Sequence, residues 1–194
     1  MTLKEMFAKV KTNPAFVGFI TTDQMVLAID VSAEQNADVD EFAVAYMGFT
    51  DRSSSLNPKE KTNSYYYHGE SSTKTGNQRT ITFKCDRYKG DPFQDFVTSF
   101  DMKYAKGQAA IVRYAWLNIL TGEGEIGSGS LILDDDGSGA PEENLSVGGS
   151  IKRLPLSPQS LNIWALAVTL LLRCLLLTGL PSMTVTMRER TVLS

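Results

Sequence analysis

Histidine is almost absent from this sequence. His68 is the single one among 194 residues. Zinc centres built on several histidines are thereby excluded, and a Ser-His catalytic pair is confined to one position. That position has three tyrosines before it and no adjacent base or nucleophile. Cysteine is nearly as scarce. Cys85 and Cys174 are far apart and form no CxxC, so they read as free thiols of a reducing cytoplasm. Residues 1–5 lack the apolar core of a signal peptide. An excess of positive charge is missing too. The net charge is −3, which speaks against a protein that grips phosphates by bulk charge. Neither a GxSxG nor a Walker A pattern occurs.

What is present is an ordinary globular balance, 42% hydrophobic and 21% charged, with one abrupt change. Residues 1–153 carry 16 basic and 21 acidic side chains, a net −5; residues 154–194 carry 3 and 1, a net +2. The chain therefore divides into an N-terminal arm over 1–20, a β-rich domain over 21–153 and an apolar extension over 154–194.

Along the body, strand signals dominate. Thr2 and Glu5 fit a capping box, and Leu3, Met6, Phe7 and Val10 follow at helical spacing until Asn13-Pro14. This predicts a short N-terminal helix. Residues 25–31 and 42–49 are apolar runs of strand length. Residues 51–64 are polar, carry Asn57-Pro58 and read as a long loop of the kind that is often functional. The adjacent Tyr65, Tyr66 and Tyr67 suggest a strand with partners on each face. Ile81, Phe83 and Cys85 alternate with Thr80, Thr82, Lys84 and Asp86, the clearest strand of all. After it, Asp91 as N-cap, Pro92 and Gln94 open a helix. Phe93, Phe96, Val97, Phe100 and Tyr104 then fall on one face, up to Gly107. Residues 109–119, 128–133 and 145–152 supply three more strands. Strands, one helix, then strands imply an α+β fold, a sandwich or barrel-like sheet with one packed helix.

The remaining motif matches lack their context. Gly122, Gly124 and Gly127 match GxGxxG, but a strand follows them and Glu123 and Glu125 would repel phosphate; a hairpin turn fits better. Asp134, Asp136, Gly137 and Glu143 match part of a calcium loop, yet its first ligand position falls on Ile132 and no helices flank it. Asp134, Asp135, Asp136, Glu142 and Glu143 read instead as a solvated acidic loop. Asn144-Leu145-Ser146 is a glycosylation sequon without meaning inside a cell. The expectation is a protein with no enzymatic activity, cofactor or metal.

Three stretches together carry a family resemblance. One is Phe42-Ala43-Val44-Ala45-Tyr46-Met47-Gly48-Phe49 leading into the polar stretch up to Ser64. Another is the helix between strands that starts at Asp91. The third is Asp134-Asp135-Asp136-Gly137-Ser138-Gly139-Ala140-Pro141-Glu142-Glu143-Asn144 before a last strand. Over about residues 15–153 the chain resembles the tail tube (major tail) proteins of siphovirus-type phages. The resemblance implies hexameric rings stacked into a tube that conducts DNA without binding it specifically. It implies a place in the virion tail after assembly in the host cytoplasm. The partners implied are further copies of itself and other tail proteins, such as the tape measure and the tail terminator. Asp51, Arg52, Asn57, Pro58, Lys59, Glu60 and Lys61 then become the candidate inter-ring loop. Head-to-tail contacts close into rings, ring closure covers open strand edges, and acidic walls would repel DNA.

Residues 163–180 are almost wholly apolar and just long enough to span a bilayer. Arg173 near their centre costs roughly 2.5–3.5 kcal/mol, which the leucines offset. A membrane-anchored β-rich protein is therefore the competing reading. A tail tube needs no anchor. A reading frame shifted by one base fits that case, because over 161–169 it can give a run with three glycines and over 183–193 a hydrophilic, acidic and Gly-rich tail.

Overall fold

The computed structural model describes residues 1–10, 12–155 and the backbone of 159–162. Its elements in chain order are α1 (Leu3–Lys9), β1 (Met25–Ile29), β2 (Ala43–Val44), β3 (Phe49–Ser55), β4 (Pro58–Tyr65), β5 (Gly69–Asn77) and β6 (Thr80–Asp86). They continue with α2 (Pro92–Val97), α3 (Phe100–Lys103), β7 (Ile111–Asn118), β8 (Glu123–Ser138), β9 (Ser146–Arg153) and β10 (Gln159–Asn162). The main sheet runs β2-β1-β7-β8-β9-β6-β3, with β10 on β8 outside that path; β4 and β5 form a sheet of their own. The described pairings are antiparallel. The sheet curls into a half-barrel, so that Arg52 Nη1 on one edge strand donates to Ala45 O beside the other at 3.3 Å. With its few helices the fold is α+β, as the order of elements implies.

The curl follows from alternation. Ile81, Phe83 and Cys85 of β6 are buried and point inward with Leu27, Ile29, Tyr114, Trp116, Leu131 and Ile151. α2 covers the open side. Phe93 meets Phe83 edge-on at 5.4 Å and Phe49 at 5.2 Å. Burying one such ring is worth about 1.5–3 kcal/mol. Glycines let the backbones close up. A Cβ at Gly124 would fall 2.4 Å from Trp116 O, and at Gly149 it would fall 2.6 Å from Ile132 O.

α1 is held by the reciprocal capping box, with Thr2 N donating to Glu5 Oε2 at 3.0 Å and Glu5 N donating to Thr2 Oγ1 at 3.3 Å. Leu3 N donates to Phe42 O and Val44 N to Met1 O, so the N-terminus covers the outer edge of β2. β7 and β8 are joined through Gly122, whose φ of 73° makes the tight hairpin that replaces a dinucleotide loop.

Four expectations need correction. Residues 42–49 are not one strand: Gly48, at φ 71° and packed on Asp86 O, breaks the run between β2 and β3. The helix over 91–104 is two. Thr98 Oγ1 bonds back to Gln94 O and Ser99 Oγ caps a new turn at Met102 N, so Phe100 and Tyr104 leave the core side and stack on each other at 5.0 Å. Residues 51–64 are not a loop. They form β3 and β4, and β3–β6 continues through a kink into β4–β5 as one extended hairpin. Of the three tyrosines only Tyr65 ends a strand; Tyr66, Tyr67 and His68 make the turn, with Tyr67 at φ 72°.

Candidate functional site

The β4–β5 hairpin is an arm with no side packed on the body. Every residue of both strands is exposed except the half-buried Asn63 and Gly76. Hairpins of two strands are marginal in water without a further surface. At about 3.3 Å per residue, eight residues extend roughly 25 Å. At the tip Tyr66 is 93% and Tyr67 102% exposed.

The candidate inter-ring residues divide between body and arm. Asp51 and Arg52 lie in β3 on the body; Arg52 is half-buried, where burial lowers its pKa against the pull of Asp23. Asn57 is the hinge point. At φ 40° it donates from Nδ2 to Gln78 O at 3.2 Å and to Thr80 Oγ1 at 3.1 Å. Pro58, Lys59, Glu60 and Lys61 open the arm in β4. Sequence reasoning missed the lock at the arm's base. Arg79 pairs with Glu125 at 3.0 Å, and Tyr114 Oη donates to the other oxygen of Glu125 at 3.2 Å. Burial, then Glu125, pushes the Tyr114 hydroxyl up to about 12. No local spacing announces a contact 46 residues apart.

The candidate acidic residues are divided as well. Asp134, Asp135 and Asp136 are not in a loop but belong to β8, which runs on through register shifts to Ser138. Asp135 accepts from Ser138 Oγ at 2.6 Å and from Gly137 N at 3.2 Å, and these bonds hold its carboxyl below the usual range. Asp136 pairs with Lys103 at 2.5 Å. Glu142 and Glu143 lie in the β8–β9 turn. Asn144 Nδ2 there donates to Asp86 Oδ2 at 3.2 Å, tying the turn to the end of β6. An open groove of about 610 Å³ lies there, lined by Thr50, Lys84, Asp86, Glu142, Glu143 and Asn144 among others.

Catalytic geometry has little to build on. His68 stands at the arm tip, and Cys85 is buried with its thiol pushed up to about 11, mainly by desolvation. Among the described residues no three His, Cys, Asp or Glu side chains are grouped to hold a metal ion. No helix among them is long and apolar enough to cross a membrane. The apolar stretch over 163–180, with both readings attached to it, lies outside the described residues.

No protein-family model and no curated protein matches the chain. Solved structures do. One similar chain belongs to the tail of an empty gene transfer agent particle, determined by helical refinement with C6 symmetry. It aligns with a TM-score of 0.52 and 11% identity over 73% of this chain and 98% of its own length. Another belongs to the virion of a native gene transfer agent particle, with a TM-score of 0.51 and 11% identity over the same shares. At that identity the shared property is the fold.

Proposed function

We propose that this chain is a structural protein of a phage-type tail. Copies of it form six-membered rings, and the rings stack into a tube through which DNA passes. The observation that carries the reading is the unsupported arm. A roughly 25 Å hairpin with both faces exposed and tyrosines at its tip is ordered by another molecule. The likeness in fold to a chain from a tail with C6 symmetry supports a second copy as that molecule.

On this reading Lys59, Glu60 and Lys61 contact the next ring, while Asp51, Arg52 and Asn57 set the direction in which the arm leaves. The protein works in the virion tail, after assembly in the host cytoplasm, beside proteins that set tail length and close its end.

The test is negative-stain electron microscopy of the concentrated full chain and of residues 1–155. Six-fold rings or striated hollow tubes from both are expected. A short form that stays monomeric beside a full chain that needs detergent would overturn the reading in favour of a membrane-anchored protein.

A further inference from the structure

The arm and the acidic turn lie at opposite ends of the same strands. β6 leaves the arm at Thr80, opposite Lys152, and ends at Asp86, opposite Ser146, where the acidic turn begins. Those seven paired positions separate the two features by about 20 Å.

Charge on the arm is sorted by face. Alternation along β4 puts Lys59, Lys61, Asn63 and Tyr65 on one side and Glu60, Thr62 and Ser64 on the other. Across the hairpin Lys61 faces Thr73 and Asn63 faces Ser71, whereas Glu60 faces Lys74 and Ser64 faces Glu70. Both arm carboxylates therefore fall on the second face, and the first carries only lysines. Among the described residues neither Lys59 nor Lys61 has an ion-pair partner, and neither do Glu142 and Glu143 in the turn. One face of the arm thus offers lysines without an ion-pair partner among the described residues, and the groove at the other end offers Glu142 and Glu143 beside Lys84.

We infer that the lysine face of one copy's arm lies in the groove between the β8–β9 turn and Asp86 of the next copy. Lys59 and Lys61 would then be set against Glu142 and Glu143. The inference rests on the stacked-ring reading and names the surface its arm would use. The occupant is a second copy of this chain. The two surfaces differ and sit at opposite ends, so the contact is heterologous and repeats along an axis without closing. Complementary charge also fixes the polarity, because two arms, or two acidic turns, repel each other when brought together.

The experiment uses the full chain in four forms: native, Lys59→Glu with Lys61→Glu, Glu142→Lys with Glu143→Lys, and all four changes together. Each is checked for folding by circular dichroism and viewed by electron microscopy. Loss of tubes with retention of rings is expected for each pair of reversals, and recovery of tubes for the fourfold variant. Tubes of native length from either reversed pair would overturn the inference and leave the tube reading standing, as would a fourfold variant that fails to recover. A native chain that forms neither rings nor tubes would overturn both. A second measurement does not depend on tubes being lost: Lys61→Cys with Glu143→Cys, oxidised in preformed tubes, should give a reducible ladder of multimers. Its absence in intact tubes counts against the contact.

Discussion

At the scale of single residues, position relative to the curl decides what an aromatic ring is worth. Phe93 and Phe100 both fit the same helical stripe, yet Phe93 is fully buried and Phe100 is 76% exposed. Phe93→Ala is expected to lower the unfolding free energy of the body by about 3–5 kcal/mol. Phe100→Ala is expected to change it by no more than about 0.5 kcal/mol. Urea denaturation of the two variants side by side checks both values. A second expectation concerns alkali. The ordinary values of 10.0 for Tyr114 and 9.0 for Cys85 rise to about 12 and about 11 in the folded chain. The folded state holds these protons more tightly than the unfolded state. Their contribution is fully present below the ordinary values and is lost as pH rises through them toward the raised ones. Thermal midpoints should therefore fall from about pH 9 upward. Tyr114→Phe should flatten that decline while lowering stability at neutral pH through loss of the Glu125 bond.

At the scale of elements, legibility followed burial. β6 was readable because one side faces the core and the other does not, so Ile81, Phe83 and Cys85 stand out against Thr82 and Lys84. The capping box at Thr2 and Glu5 was readable because capping is local. β4 and β5 were not. With both faces in solvent, Lys59 to Ser64 show no apolar alternation, and a strand without a buried face reads like a loop. The break between α2 and α3 was hidden for a different reason. Phe100 and Tyr104 keep helical spacing, and Thr98 and Ser99 act through side-chain bonds to nearby backbone that periodicity does not register. The Asp134–Asp136 run was hidden because charge suggests a loop, whereas β8 carries it along an exposed strand end. The two candidate segments were thus given the wrong local form. Replacing residues 58–77 by a two-residue turn is expected to leave the body's urea midpoint nearly unchanged while abolishing tubes in electron micrographs. On the proposed reading the arm adds little to the core and serves the contact between rings.

At the scale of the whole molecule, function rests on where the ends are. The body carries net −5, and the Lys59–Lys61 face of the arm and the Glu142–Glu143 turn lie at opposite ends of the same strands. Contacts between such exposed charges are screened within about 8–10 Å at physiological ionic strength. Tube length measured by light scattering should accordingly fall as salt is raised from about 0.05 to 0.5 M, a range that shortens the screening length more than twofold. Rings held mainly by apolar and backbone contacts should persist.

The arm's lack of a second layer also bears on timing. On the stacked-ring reading, a hairpin that is marginal by itself is competent to dock only in the fraction of copies in which it is formed. Each docking event then removes the conformational freedom of about twenty residues, which makes the first contact harder than those that follow an existing ring. On that reading free subunits would accumulate without polymerising, and growth would begin where a seed already presents an ordered surface. Amide hydrogens of β4 and β5 should exchange quickly in the free subunit and slowly in the tube, and on this reading the arm is a brake on premature assembly.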